Sequence, residues 1–260
     1  VTPRQRNAPL RYAVVELLST VGSASVKEIC YFTGASGPTI KSLVKSGLVA
    51  VEEREAFRGG HAETAAPTAP PPVLNGEQEA AFQTLDGLCR SPEAAVALLY
   101  GVTGSGKTQV YLRLIRAALE RGQTAMVLVP EIALTPQLLR IFTAHFGSDV
   151  AVLHSSLRAG ERYDEWKRLR SGRARVALGT RSAVFAPLEH LGLIILDEEQ
   201  EGSYKSENAP RYHAREIAKY RCAKEGGLLV LGSATPSVET MYLAQTGVYH
   251  LVRLTKRYNE

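Results

Sequence analysis

A glycine-rich segment between an apolar run and a helical pattern is the strongest chemical signal in this sequence. Residues 101–108 are Gly-Val-Thr-Gly-Ser-Gly-Lys-Thr, the spacing of a loop that binds polyphosphates through backbone N–H groups at a helix N-terminus. The alternative is a glycine-rich turn in which the lysine is incidental. That alternative does not explain why an apolar run precedes the segment and a helical pattern follows it. We predict a nucleotide site in which Lys107 contacts the β and γ phosphates and Thr108 ligates Mg²⁺. Its residues are Gly101, Thr103, Gly104, Ser105, Gly106, Lys107 and Thr108.

An acidic quartet provides the second chemical signal. Asp197-Glu198-Glu199-Gln200 directly follows the apolar run 193–196, so its carboxylates should lie where a buried strand ends, the edge at which open α/β sheets bind ligands. We expect Asp197 to hold Mg²⁺ and Glu198 to orient the attacking water in phosphoryl transfer. The alternative is a solvated acidic loop.

The composition is that of an ordinary globular protein. Of 260 residues, 45% are apolar and 22% are charged, which excludes a disordered or collagen-like chain. No run approaches the roughly 18 apolar residues of a membrane span, and we expect a cytoplasmic protein without a membrane partner. The net charge of +5 permits a polyanionic partner without requiring one. Three widely separated cysteines are expected to be reduced core thiols.

A proline-rich segment, Ala-Ala-Pro-Thr-Ala-Pro-Pro-Pro at 65–72, divides the chain. Before it, three helical patterns and the apolar stretch Leu48–Val51, which we expect to form a strand, predict a winged-helix domain over residues 1–58. A linker over 59–74 follows. Residues 75–260 then alternate apolar runs with helical patterns, which predicts an α/β domain with a doubly wound, largely parallel sheet.

The expected strands and helices of this second domain have definite bounds. Strands are predicted over 94–100, 125–129, 150–153, 175–178, 191–196 and 228–231, and helices over 108–120, 136–146, 161–170 and 214–225.

The third helical pattern of the first domain carries a thin basic strip. Lys41 and Lys45 lie four residues apart, opposite the apolar positions Ile40, Leu43 and Val44. They are candidates for DNA contact, because the third helix of a winged helix often enters a groove. Packing of this domain against protein is an equally open alternative.

The order of the motifs resembles that of a known family. Residues 101–108, 128–137, 153–156, 179–183, 197–200 and 232–237 follow one another as in the first motor lobe of superfamily 2 helicases, and most closely as in the helicases of primosomal replication restart. The resemblance implies a RecA-like lobe, ATP and Mg²⁺ as cofactors, and 3′-to-5′ unwinding of forked and single-stranded DNA. Primosome proteins and single-stranded DNA-binding protein are the implied partners. Zinc is expected only in a C-terminal part that these residues do not include.

The same resemblance implies further site residues. Gln78 would read the adenine edge, although by itself it could be a helix-surface glutamine. The segment containing Tyr204, Lys205, Arg211, Tyr212 and Arg215 would sense single-stranded DNA, since tyrosines beside cations offer stacking faces and phosphate contacts. A polar surface loop is the alternative for that segment.

Short polar or basic residues that follow predicted strands would contact the phosphates of the DNA backbone. Thr135 and Arg181 are the chief candidates, with Ser155 and Ser182, and Ser233-Ala234-Thr235 would relay between nucleotide and DNA. Any one of these residues could instead cap a helix or form a turn.

Two departures from the family pattern qualify this function. Gln200 stands where most relatives have histidine, and no second phosphate-lobe pattern occurs in these residues. We therefore expect a fragment that is nearly inactive by itself, because the second lobe supplies arginines that stabilise the transition state. The alternative function is a fork-binding scaffold that recruits replication proteins and has weak or no ATPase activity.

Overall fold

The computed structural model describes residues 3–22, 24, 26–51 and 66–257, which fall into two compact units. One unit comprises Val1–Gly60 with Thr135–Ile141, and the other comprises His61–Leu134 with Phe142–Glu260. The sequence did not predict that 135–141 would group with the first unit. The bounds of the winged-helix domain and of the linker stay predictions.

Three helices form the first unit's own core: α1 (Pro3–Val21), α2 (Val26–Thr33) and α3 (Gly37–Lys45). Helix α3 starts after Ser36 with a proline in its first turn, and it ends at Lys45, followed by the C-cap Ser46 and by Gly47 with φ +69°. Apolar side chains from the three helices pack together, which confirms the predicted helical patterns. They are Val14, Ile29, Ile40 and Leu43, joined by Ala35 from the segment between α2 and α3.

The expected strand over Leu48–Val51 is not formed, and this prediction was wrong. Leu48 and Val51 are 61% and 53% exposed, so burial does not hold them in place. A strand also needs a partner with which to exchange hydrogen bonds, and these residues have no ladder partner within the described ranges. Residues 52–54, to which this stretch leads, lie outside the described residues.

After the first unit, strands and helices alternate along the chain. They are α4 (Gly76–Arg90), β1 (Ala95–Gly101), α5 (Lys107–Glu120), β2 (Thr124–Leu128), α6 (Pro136–Phe146), β3 (Val150–Leu153), α7 (Ala159–Arg170), β4 (Val176–Gly179), β5 (Leu191–Asp197), α8 (Ala214–Glu225), β6 (Leu228–Ser233), α9 (Val238–Gln245) and β7 (His250–Leu254).

The seven strands form one sheet in the order β3-β4-β2-β5-β6-β1-β7, and every neighbouring pair is parallel. This confirms the expected α/β class and each of the six predicted strands. Because the strands are parallel, all their carboxyl ends lie at one edge. That edge therefore receives the phosphate loop after β1, the acidic quartet after β5 and Ser233 at the end of β6.

Within the part of the chain that the structure describes, no helix is both long and apolar enough to cross a bilayer.

Candidate nucleotide and DNA site

The phosphate loop turns between β1 and α5 in a conformation that needs glycine. Gly104 and Gly106 both have φ +80°, a left-handed backbone that other residues adopt only with strain. A side chain on Gly101 would collide with Ser105, since its Cβ would lie 2.6 Å from the Ser105 Oγ. Lys107 begins α5, and its Nζ donates to the Gly101 carbonyl at 2.9 Å. The lysine side chain thus folds back across the phosphate loop.

Gln78 is buried and braces this loop from α4. Its Oε1 accepts the Asn75 N–H at 3.0 Å, and its own N–H donates to Asn75 Oδ1 at 2.9 Å, closing a capping box. Its Nε2 donates to the Ser105 carbonyl at 3.0 Å. The alternative of a helix-surface glutamine was therefore wrong. Adenine reading stays a prediction, because in this structure the amide binds the chain at both ends.

The other predicted loop residues have different environments. Thr103 is exposed in the loop, and Thr108 is half-buried as the second residue of α5. Ser105 is buried, and among the described residues its Oγ has no hydrogen-bond partner. The loop therefore keeps an unused buried hydroxyl next to its glycines.

Asp197 is the last residue of β5 and accepts a hydrogen bond from a tyrosine on α5. The Tyr111 hydroxyl donates to its Oδ1 at 2.8 Å. Gly232 of β6 leaves room for this contact, because a Cβ there would lie 1.8 Å from the Tyr111 oxygen. Burial raises the pKa of Asp197, and the Tyr111 and Lys107 groups partly oppose that rise. Sequence reasoning missed Tyr111, although it follows Lys107 by four residues on the same helix face.

Glu198 starts a chain of hydrogen bonds from β5 to β6. Its backbone has φ +47°, in the left-handed region. The Gln200 Nε2 donates to Glu198 Oε2 at 3.0 Å, and Ser233 Oγ donates to Gln200 Oε1 at 2.6 Å. Ser233 Oγ in turn accepts the Thr235 N–H at 2.9 Å. The neutral amide at position 200 thus physically joins the acidic quartet to the Ser-Ala-Thr segment.

Glu199 stabilises the fold, and it forms an ion pair with Arg215. Its side chain is inaccessible to solvent, accepts the Ser237 N–H at 2.6 Å and lies 3.3 Å from the Arg215 guanidinium. Arg215 also contacts Glu239 at 2.8 Å and is only 13% exposed. The expected DNA contact of Arg215 does not fit this structure, because its cation is already paired with three carboxylates, those of Glu199, Glu216 and Glu239.

Tyr204 does not offer a stacking face, which corrects its expected role. It is 0% exposed, and its hydroxyl donates to the carbonyls of Leu128 and Asp197 at 3.0 and 2.6 Å. Burial raises its pKa well above the ordinary value. The ring anchors the following loop to the ends of β2 and β5.

The rest of this segment forms a hairpin at the surface. Lys205 pairs with His213 across an antiparallel bridge, and its ammonium lies 3.2 Å from Glu207 in an exposed ion pair. Arg211 is exposed. Tyr212 meets Phe185 edge to face, with ring centroids 4.9 Å apart. Phe185 is 53% exposed and was missed by sequence reasoning, because it follows a different strand.

The side chains of Arg181 and Thr135 both form hydrogen bonds with the backbone. Arg181 donates to the carbonyls of Ser203 and Lys205 at 3.3 and 2.6 Å, and its guanidinium lies 5.8 Å from the Tyr212 ring centre. Thr135 Oγ1 accepts the Leu138 N–H at 3.2 Å, as a helix cap does. The capping alternative is therefore confirmed for Thr135, and the phosphate contacts of both residues stay predictions.

Lys41 and Lys45 are both exposed on α3, and the buried residues of that helix lie on its other face. The predicted basic strip therefore exists. Its DNA contact stays a prediction.

Comparison with known sequence families identifies the domain that contains this site. Residues 76–243 match the DEAD/DEAH box helicase family. The chain belongs to the DEAD/DEAH box helicase family. This helicase domain covers the phosphate loop, the acidic quartet and the Ser-Ala-Thr segment, so the resemblance drawn from the motifs is confirmed, and a helicase of this family uses ATP.

Relatives within the helicase family point to replication restart. The chain is 47% identical over 232 residues to the replication restart protein PriA of Bacillus subtilis, covering 89% of this chain and 29% of that protein. It is 50% identical over 185 residues to that of Treponema pallidum, covering 71% and 28%. The chain thus spans less than a third of these relatives.

A solved DNA-bound structure shares the fold. The structure of RecG bound to a three-way DNA junction aligns with a TM-score of 0.53 at 20% identity, covering 97% of this chain and 30% of RecG.

Proposed function

We propose that the protein to which these residues belong is an ATP-dependent 3′-to-5′ DNA helicase that restarts replication at stalled or repaired forks. Forked and single-stranded DNA, primosome proteins and single-stranded DNA-binding protein are its proposed partners, and the nucleoid its place of action. The observation that carries the proposal is the convergence of the phosphate loop, the acidic quartet and Ser233 at one sheet edge, together with the similarity to PriA.

The residues at this edge fit a magnesium nucleotide. The left-handed conformations of Gly104 and Gly106 are those of a loop that turns backbone N–H groups towards phosphate. The buried Ser105 Oγ, which has no partner among the described residues, adds a polar group. Thr108 and Asp197 supply the oxygen ligands that Mg²⁺ prefers. When bound, Mg²⁺ neutralises charge on the β and γ phosphates.

The roles of the chain's own groups follow from their positions. Lys107 would exchange its bond to the Gly101 carbonyl for phosphate oxygens, because its ammonium already lies across the loop. Glu198 would orient the attacking water. The Gln200 bridge holds the Glu198 carboxylate against Ser233, a direct route between hydrolysis and DNA binding, and it weighs against the scaffold alternative.

DNA contact is proposed at the exposed hairpin. Lys205, Arg211 and Tyr212 remain candidates, and Phe185 takes the stacking role that the buried Tyr204 does not offer.

Nucleotide binding by the chain tests the proposed site. Lys107→Ala removes the cation that lies across the loop and should weaken binding of a fluorescent ATP analogue at least about tenfold. Lys224→Ala, which removes an exposed cation from α8, is the matched control. Equal affinity of the two variants would refute the assignment. Steady-state ATP turnover of the longer protein, with and without forked DNA, separates a helicase from a scaffold.

A further inference from the structure

An exposed face of α7 combines two aromatic rings with two cations. Tyr163 and Trp166 lie nearly parallel, with centroids 6.3 Å apart and planes 9° from each other, and they are 55% and 36% exposed. The Lys167 ammonium is 4.3 Å from the Tyr163 centroid, and the Arg170 guanidinium is 5.3 Å from that of Trp166. We call these four residues the α7 aromatic face.

The charges around this face have one dominant sign. Arg162, Lys167, Arg170 and Arg173 are exposed on or just after α7, against Asp164 as the exposed acid. The helix's other two carboxylates are engaged within the fold. Glu161 accepts the backbone N–H of Arg158 at 2.8 Å, and Glu165 is buried and lies 2.9 Å from Arg168. The face is therefore complementary to a polyanion.

The packing of the domain does not account for the two rings. Helix α7 buries Leu169 and the Glu165–Arg168 pair, whereas Tyr163 and Trp166 point away from that side and keep much of their surface in water. Contacts between residues three and four apart stabilise a helix only slightly. Aromatic faces beside cations are the combination by which proteins hold single-stranded nucleic acid.

The position of the face separates it from the nucleotide site. Helix α7 connects β3 to β4, and β3 is the edge strand at the far end of the sheet from β1. Five strand spacings lie between β3 and β1, about 24 Å in all. The neighbouring β4 leads into the turn that carries Arg181 and Phe185. A DNA strand that contacts that turn could continue towards α7.

We propose that the α7 aromatic face is a second binding surface for single-stranded DNA, with bases against Tyr163 and Trp166 and phosphates against Lys167 and Arg170. The choice of DNA as the polyanion rests on the proposed function. A protein partner fits less well, because it would need to bury several like charges.

Intrinsic fluorescence tests the contact directly. The chain has a single tryptophan, so all tryptophan emission comes from Trp166. Titration of the whole chain with an oligothymidylate should quench this emission along a saturable curve. The same curve should appear in the anisotropy of the end-labelled oligonucleotide.

Charge variants give a second readout. Lys167→Gln with Arg170→Gln removes two phosphate contacts, so the slope of log affinity against log salt should fall by about 1.4. Lys224→Gln with Arg253→Gln removes the same charge from exposed positions on α8 and β7 and should leave the slope unchanged. Tyr163→Ala should weaken binding about tenfold, because one stacked base is lost.

The outcomes distinguish this proposal from the proposed function. Binding by anisotropy without a change in Trp166 emission would overturn the α7 proposal and leave DNA binding elsewhere intact. Absence of any oligonucleotide binding would overturn both. An emission shift that grows with protein concentration and needs no DNA would assign the face to a second copy of the chain and overturn the proposal. Equal salt slopes for the two double variants would also overturn it.

Discussion

Removing one hydroxyl beside Asp197 should destabilise the α/β domain in a pH-dependent way. Tyr111→Phe keeps the buried ring and deletes the hydrogen bond to Asp197 Oδ1. Hydrogen bonds to charged groups contribute about 1.5–3 kcal/mol. Because Asp197 is only half-buried, we expect a loss of about 2 kcal/mol, or a fall in Tm of about 4–8 °C for a domain of this size.

The sign of the pH dependence follows from the pKa of Asp197. Burial places that pKa above its unfolded value, so the ionised carboxylate lowers stability at neutral pH and the cost disappears once the group is protonated. Loss of the Tyr111 donor raises the pKa further. The difference between variant and wild type should therefore be full above both folded pKa values and should shrink as the pH falls through them.

Tyr204→Phe is the matched control. Its hydroxyl donates to two neutral carbonyls, so its loss should cost about 1–2 kcal/mol with no such pH dependence. Urea unfolding followed by Trp166 emission, without nucleotide or Mg²⁺, measures both variants. If both variants lose stability to the same extent at neutral and acid pH, the charged hydrogen bond to Asp197 does not contribute as argued.

Other expectations concern buried groups and turnover. Gly232→Ala should destabilise the domain by about 1–3 kcal/mol in urea unfolding, because its Cβ would overlap the Tyr111 hydroxyl. Glu199→Ala should cost about 3 kcal/mol by leaving its partner Arg215 incompletely paired. Glu239→Ala, which removes an exposed partner of the same arginine, should cost less than about 1 kcal/mol, and similar losses for the two variants would contradict this. Cys222, whose pKa burial raises to about 12, should react with a thiol reagent at pH 8 only after unfolding. The 260 residues alone should hydrolyse ATP slowly, and a DNA-stimulated rate like that of the longer protein would contradict the need for a second lobe.

The sequence predicted the strands well, because six of them are mostly apolar and mostly buried. Strand β7 was missed for the opposite reason. His250–Leu254 lies at the sheet edge and mixes exposed with buried positions, so it lacks the apolar run of a central strand. Helices α4 and α9 were also not among the predicted elements.

The side-chain orientations in residues 204–215, the segment expected to contact DNA, were harder to predict than the position of that segment. Composition located a group of Tyr, Lys and Arg residues, but it did not show which of them face the interior. Tyr204 points inward because two backbone carbonyls accept its hydroxyl. Arg215 points inward because the buried Glu199 carboxylate lies 3.3 Å from its guanidinium. The Tyr204–Leu128 contact joins residues 76 positions apart, and the folded sheet is what brings the ends of β2 and β5 together around this ring.

The strand order also governs when the nucleotide site can assemble during synthesis. Strand β1 emerges first, but its two neighbours, β6 and β7, are made roughly 130 to 150 residues later. At about 5–20 residues per second, this strand waits about 7–30 s on the ribosome without either partner. The apolar β1 is thus exposed to chaperones and to misassembly for that interval. A nascent chain that has not reached Leu228 carries the whole Gly101–Thr108 motif and still has no phosphate site.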